Sequence, residues 1–265
     1  MIITTSPSPS EGLMYRAIHL AKSSGGRFYE RRRLPVSELF ELSIDGLVLI
    51  LTEKELRLYN KHSDNPDYPF TYHPSMAYVK LKGMLNGQQE PLITYSQCHK
   101  GDFVLDCTAG LASDSLLFSL AVGESGKVVS LESELPLYTI VSEGLKLYQS
   151  PIKEIEAAMR RIQMINESHD SYIKTLPDKS FDIVYFDPMF RQPLHDSQGI
   201  KPLRAVANHN PLANETIQEA KRVARKCVLL KEHAGSAEFH RLGFEPIGKH
   251  QHNKPAYGII WCKEV

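Results

Sequence analysis

The apolar run Ile183-Val184-Tyr185-Phe186 ends in Asp187-Pro188-Met189-Phe190, which places a carboxylate, a proline carbonyl and a flat ring within four residues. That set suits an exocyclic amine on a heteroaromatic ring, a poor nucleophile because its lone pair is delocalised. The Asp187 carboxylate and the Pro188 carbonyl could accept its two hydrogens and hold the nitrogen in line with an electrophilic carbon. Phe190 could stack on the ring. An Asp-Pro turn beside a core phenylalanine is the other reading, because such turns are common where strands run into loops.

A second stretch, Val104-Leu105-Asp106-Cys107-Thr108-Ala109-Gly110-Leu111-Ala112-Ser113-Asp114, reads as a strand, a small-residue turn and the start of a helix. Ala109, Gly110 and Ala112 would let a ligand approach the backbone closely. The turn lacks the third glycine of a pyrophosphate-binding fingerprint and the lysine of a phosphate-binding loop. Glu132 closes the next apolar strand, where an acid can accept both hydroxyls of a ribose. Such an acid also occurs in NAD proteins. The missing phosphate signature favours a nucleoside cofactor with a sulfonium and a zwitterionic amino-acid end, S-adenosylmethionine, over NAD. A turn of this shape with no ligand stays open on the residues alone.

These residues need a sheet whose strand ends meet. Short apolar strands are expected at Phe103–Cys107, Lys127–Glu132, Phe181–Phe186 and Cys227–Lys231, with helices at Ser113–Ala121, Leu135–Tyr148, Ile152–Met164 and Asn214–Arg225. That alternation predicts a mostly parallel sheet covered on both faces. The end breaks the rhythm: a helix near Ser236–Leu242, then strands at Glu245–Lys249 and Tyr257–Cys262, make a C-terminal antiparallel hairpin. Residues 1–90 read as a small N-terminal α+β domain and 91–265 as the catalytic domain. In the former, Ser10 caps a helix that stops at Gly25-Gly26, strands are expected at Leu47–Leu51 and Leu56–Tyr59, residues 60–74 read as loop, and Ser75–Leu81 reads as helix.

Composition sets the outer limits. Lys plus Arg and Asp plus Glu number 31 each, so overall charge points to no polyanionic partner and any nucleic-acid surface must come from local clustering. Cys98, Cys107, Cys227 and Cys262 form no CxxC pair, so neither a disulfide framework nor a zinc site is expected. Cys107 and Cys227 sit in apolar strands as small core residues, which argues against the nucleophilic cysteine of pyrimidine-C5 methylation. No basic-then-apolar leader and no run long enough for a bilayer is seen, so a cytoplasmic protein without membrane attachment is expected.

With these residues in view, the chain resembles the class I methyltransferases of the small-subunit ribosomal RNA guanine-N2 (RsmJ-type) family. The resemblance rests on Leu105–Asp114, on Glu132 and on Val184-Tyr185-Phe186-Asp187-Pro188-Met189-Phe190, with His73-Pro74-Ser75-Met76-Ala77 as a similar lead-in. It spans roughly residues 70 to 230. It implies an α/β fold with a Rossmann-like class I methyltransferase sheet and S-adenosylmethionine as cofactor. By resemblance, Ser113 and Asp114 contact the cofactor, Glu132 with Ser133 takes the ribose, His169-Asp170 flanks the adenine, and Asp187 lies beside the transferred methyl. Asp106, Thr108 and Gly110 complete the expected cofactor set. The family pattern has Arg-Asp where this chain has Ser113-Asp114, and a proline where this chain has Arg191.

Substrate contacts are expected from Arg31, Arg32 and Arg33, a basic run just after Arg27, Phe28 and Tyr29, and from Arg191, Lys201 and Arg204 in the segment after Phe190. A solvated basic turn is the alternative for the arginine run. His250-Gln251-His252 has metal-like spacing without a partner acid or cysteine, and no metal is expected. The resulting expectation is an enzyme that methylates an exocyclic amine of RNA, guanine N2 in ribosomal RNA. Adenine-N6 or DNA amine methylation, a small-molecule methyltransferase and a cofactor-binding RNA-interaction protein with little turnover stay as alternatives.

Overall fold

Ile2, Ile3, Thr4 and Thr5 form a fully buried strand, β1 (Ile2–Thr5), at the very start of the chain. The computed structural model describes residues 1–188, 211–248 and 255–262, which fall into two compact units. In the first unit β1 pairs in parallel with β2 (Arg27–Phe28) and with β3 (Leu47–Leu51). The connection from β1 to β2 is α1 (Glu11–Ser23), whose amide at Leu13 donates to the capping hydroxyl of Ser10 at 3.1 Å. Helix α2 (Val36–Leu42) packs Leu39 and Phe40 on Ile2, Val48, Ile50 and Tyr59. Antiparallel β4 (Leu56–Asn60) and β5 (Phe70–Thr71) complete a sheet of order β2-β1-β3-β4-β5. The short β5 falls inside the stretch expected to be loop.

The second unit opens with α3 (Ser75–Leu85) and α4 (Pro91–Tyr95), then β6 (Phe103–Asp106), α5 (Ser113–Val122) and β7 (Lys127–Leu131). The next helix, α6 (Leu135–Leu147), belongs to the first unit, where Gly144 lies against the Tyr72 ring. A Cβ at Gly144 would meet that ring at 2.3 Å, so only glycine permits the approach. Packing therefore divides the chain after His73 and adds residues 135–149 to the first unit, whereas the sequence pattern placed a boundary near residue 90.

The second unit continues with α7 (Lys153–Arg161), β8 (Ile162–Ile165), α8 (His169–Tyr172), β9 (Phe181–Phe186), α9 (Asn214–Val223), β10 (Ala224–His233), α10 (Glu238–Leu242), β11 (Glu245–Ile247) and β12 (Pro255–Trp261). Its sheet has the order β11-β12-β10-β9-β6-β7-β8. Strands β6 to β10 run parallel, and β12 is antiparallel to both β10 and β11. This is the Rossmann-like, mostly parallel sheet expected from the sequence, closed by an antiparallel C-terminal pair. One expected helix needs correction. Residues 152–164 hold a helix only to Arg161, because Ile162 to Ile165 pair with Val128 to Leu131 as a parallel edge strand.

Side-chain alternation along β9 divides the core. Val184 and Phe186 join Leu105, Val129, Val228 and Leu230 on one face, while Tyr185 meets the Phe118 ring of α5 edge-on at 5.4 Å on the other. Chain order reverses between β6 and β9, so their carboxyl ends bound the crevice where α/β sheets hold ligands.

Candidate active site

The turn after β6 is braced from beneath. Asp106 is buried, and its carboxylate accepts from the Thr108 amide at 3.1 Å and from the Ser115 hydroxyl. Ser130 on β7 donates to Ser115 at 2.9 Å, tying the first turn of α5 to the neighbouring strand. Burial pushes the Asp106 carboxyl up to about 7 despite these bonds. Gly110 (φ 50°) and Ala112 (φ 57°) both take the left-handed conformation, which swings the backbone around into α5. Among the described residues nothing lies within 4 Å of a Cβ built on Gly110, so they leave the turn open on that side.

Glu132 stands immediately after β7 and reaches across to that turn. One carboxylate oxygen accepts from the Gly110 amide at 3.1 Å and the other from the Glu134 amide at 2.8 Å. Burial pushes its carboxyl up to about 7, against the pull of those two amides. Asn166, after β8, donates to the carbonyls of Glu132 and Ser133 at 2.8 and 3.1 Å and holds this corner in place. Ser133 is half-buried and its hydroxyl faces Glu134. His169 at the start of α8 sets its ring edge-on to Phe186 at 5.7 Å, hydrogen-bonds the Cys107 backbone, and is held below its ordinary pKa by burial. Asp170 is exposed and takes the Thr216 hydroxyl.

Asp187 follows β9 on the far side of the turn, and its amide donates to the Thr108 hydroxyl at 2.6 Å. Its carboxylate lies 2.6 Å from the ammonium of Lys231 on β10, and that ammonium lies 2.8 Å from Asp114 in the first turn of α5. Tyr185 also donates to Asp114, at 2.6 Å. Burial works against all three charges, yet the ammonium and the tyrosine hydroxyl hold the Asp114 carboxyl below its ordinary range. At Asp187 burial prevails, helped by the nearby Asp114 charge, and the carboxyl is pushed up to about 6. The two carboxylates in turn hold the Lys231 ammonium well above its ordinary range.

The structure thus gathers Asp106, Thr108, Gly110, Ser113, Asp114, Glu132, Asp187 and Pro188 at the carboxyl ends of β6, β7 and β9. Asp106 and Thr108 are engaged within the scaffold, bracing the turn and the Asp187 backbone. Lys231 is the functional candidate that sequence reasoning missed. Its signal was a lysine interrupting Cys227-Val228-Leu229-Leu230 at the carboxyl end of a parallel strand. Phe190, Arg191, Lys201, Arg204 and the pair His250 and His252 lie outside the described residues. Among the described residues, no cluster of acids, cysteines and histidines could hold a metal, and no helix is long and apolar enough to cross a membrane.

Arg31, Arg32 and Arg33 belong to the first unit. Arg31 donates to the Leu34 carbonyl at 2.9 Å and so fastens its own turn. Arg32 is exposed and pairs with Glu30 at 3.3 Å, and Arg33 is exposed beside it. Both residues have positive φ (42° and 68°), which makes the run a tight turn.

The charge of the crevice selects among ligands. Among the described residues, Asp106, Asp114, Glu132 and Asp187 stand at the strand ends with the Lys231 ammonium between Asp114 and Asp187, so a pyrophosphate would meet mostly carboxylates. A ribose diol on Glu132 and a cationic sulfonium near the Asp114–Asp187 side fit the same set of groups.

Comparison with known proteins agrees. Residues 36–241 match the family described as "Putative SAM-dependent methyltransferase". The Bacillus subtilis (strain 168) protein YpiP is 39% identical over 259 residues, covering 98% of each chain. Ribosomal RNA small subunit methyltransferase J of Francisella tularensis subsp. novicida (strain U112) is 34% identical over 117 residues, which is 43% of this chain and 46% of that relative. The crystal structure of the SAM-dependent methyltransferase NGO1261 from Neisseria gonorrhoeae shares the fold, with a TM-score of 0.62 at 16% identity over 100% of this chain and 97% of that one. The chain therefore belongs to the SAM-dependent methyltransferases of the family that matches its residues 36–241, and S-adenosylmethionine is its cofactor.

Proposed function

We propose that the protein methylates an exocyclic amine of RNA, specifically guanine N2 in ribosomal RNA. The observation that carries this reading is the Asp187 carboxylate at the end of β9, fixed beside the β6 turn through Thr108. The partial similarity to a ribosomal RNA small subunit methyltransferase supports RNA as the substrate.

The cofactor supplies a methyl group on a sulfonium that leaves as a neutral thioether. Glu132, with Ser133 beside it, accepts the ribose hydroxyls, and the open Gly110 turn admits the cofactor backbone to backbone. Ser113 and Asp114 take its amino-acid end, and His169 with Asp170 borders the adenine. Asp187 accepts one hydrogen of the target amine and the Pro188 carbonyl the other, which aims the nitrogen lone pair out of the ring plane. A carboxylate whose pKa lies near 6 can also receive the proton that nitrogen sheds after methylation. Phe190 stacks on the base. Arg31, Arg32 and Arg33, with Arg191, Lys201 and Arg204, supply phosphate contacts.

Nucleoside mass spectrometry of ribosomal RNA from a deletion strain tests this reading, alongside tritiated-methyl transfer by the purified protein. The expected result is loss of an N2-methylguanosine and its restoration in vitro. Loss of an N6-methyladenosine would keep the amine chemistry and change the base. No change in any RNA or DNA nucleoside would overturn the nucleic-acid substrate, leaving a small molecule or a binding role.

A further inference from the structure

Lys231 is a lysine that faces inward. Its side chain is 17% exposed, and its ammonium lies within hydrogen-bonding distance of two carboxylates, Asp187 at 2.6 Å and Asp114 at 2.8 Å. The β9–β10 register sets Leu230 opposite Phe186, so Lys231 stands one residue further on, level with Asp187. Its bond is to the Oδ2 oxygen of Asp187.

We propose that Lys231 is the positioning residue of the methyl-transfer reaction, holding the Asp187 carboxylate ionised and by one oxygen so that the other is left for the target amine. The inference rests on the reading of Asp187 as the amine's acceptor. Without Lys231, Asp187 would be a buried carboxyl beside two other acids, Asp114 on α5 and Asp106 on β6. It would take up a proton and present a donor where the amine needs an acceptor.

The other groups around it set the balance. Tyr185 on β9 donates to Asp114, and Tyr257, opposite Lys231 on β12, is held neutral by burial. Lys80 on α3 acts on Asp114 from further away, and is itself paired with Glu90 at 3.3 Å. Asp114 therefore has a second effect besides any contact with the cofactor: it shares the ammonium and raises the charge that Asp187 must overcome. Two substitutions should shift Asp187 in opposite directions, Lys231→Met upward and Asp114→Asn downward.

The test uses the full-length protein with carbon-13 at the aspartate carboxyls, titrated by NMR without cofactor, the Asp187 signal being assigned by its loss in Asp187→Asn. The expected midpoint is about 6 in the unaltered protein. It should rise by about one pH unit or more in Lys231→Met, fall in Asp114→Asn and stay near its original position in Lys231→Arg. Single-turnover methyl transfer at saturating cofactor should show its acidic limb moving in the same order. Lys231→Met should lose about a hundredfold in rate at neutral pH, with most of it recovered in Lys231→Arg. Adding Lys231→Met to Asp187→Asn should cost little more, because the lysine acts through that carboxylate. A midpoint unmoved in either Lys231→Met or Asp114→Asn overturns the proposal, as does full additivity with Asp187→Asn. If Lys231→Met does not fold, the titration of Asp114→Asn decides. A protein that binds cofactor yet methylates no RNA defeats the substrate reading alone, and the titration still decides the role of Lys231.

Discussion

The amide of Asp187 donates to the Thr108 hydroxyl at 2.6 Å, a bond that joins the residue after β9 to the turn after β6 across the point where strand order reverses. The side chain that would orient substrate is thereby fixed to the loop that would hold cofactor. A small movement of one with respect to the other would spoil the in-line geometry that methyl transfer needs.

Replacing Thr108 with Val keeps the shape and removes the acceptor. The Asp187 amide, half-buried, then loses its partner, at a cost of about 1–3 kcal/mol. Thermal denaturation should show that loss, and Thr108→Ser should restore both stability and methyl transfer. Stability in Thr108→Val equal to that of the unaltered protein would mean water replaces the hydroxyl.

Removing the Asp187 side chain should disable transfer and spare the fold. In Asp187→Ala the Lys231 ammonium keeps Asp114 at 2.8 Å, so no buried charge is left alone. Loss of alignment and of one charged acceptor should raise the barrier by about 3–5 kcal/mol, on the order of a hundredfold to several thousandfold in rate. A cofactor-binding Asp187→Ala variant with ordinary turnover would remove Asp187 from the mechanism.

Cofactor binding should depend on Glu132 and on pH together. Glu132→Ala should weaken S-adenosylhomocysteine binding by about 1–3 kcal/mol in calorimetry. Burial raises the Glu132 carboxyl to about 7, so ribose binding to its ionised form should release protons below that pH and tighten as pH rises through it. Binding enthalpies that are identical in buffers of different ionisation heat near pH 6.5 would contradict this.

The ligand-free fold should respond to pH in the opposite sense. Burial pushes the Asp106 and Glu132 carboxyls up to about 7 in the fold, from ordinary values of 3.8 and 4.5. Between those limits the folded state binds more protons, so their stabilising contribution is complete below the lower values and is lost as pH rises through about 7. Denaturant titrations from about pH 5 to about pH 8 should show this decline. The decline should be shallower in Asp106→Asn, and an unchanged slope would mean Asp106 is ionised throughout.

The arginine run should divide by residue. Arg32 and Arg33 are exposed, whereas Arg31 fastens its own turn to the Leu34 carbonyl. If the run meets phosphates, Arg32→Ser with Arg33→Ser should flatten the dependence of log RNA affinity on log salt by about 0.7–0.9 per lost contact. Arg31→Ser should instead lower stability. A salt slope that does not change in the double variant would assign the run to solvent.

Short-range signals explain what was readable in the chain. The β6 turn, Glu132 and Asp187 each end a run of apolar residues, and small residues or a proline mark the break, so a few neighbouring residues state each feature completely. The same locality misled at residues 152–164. Ile155, Ala158, Met159 and Ile162 continue one helical period, and only pairing with β7 makes Ile162–Ile165 a strand. That strand lies at the sheet edge with half its residues partly exposed, so it lacks the unbroken apolar run that marks the central strands.

By itself the sequence determined the strand–helix alternation, the turn without a phosphate signature and the acid at the end of each key strand. The tertiary structure decided which of those acids share a countercharge. Lys231 lies 44 residues from Asp187 and 117 from Asp114, and Thr108 lies 79 residues from Asp187. No local pattern encodes such a meeting. It follows from the parallel register of β6, β9 and β10, which brings their carboxyl ends level, and from burial, which makes the charges there depend on one another.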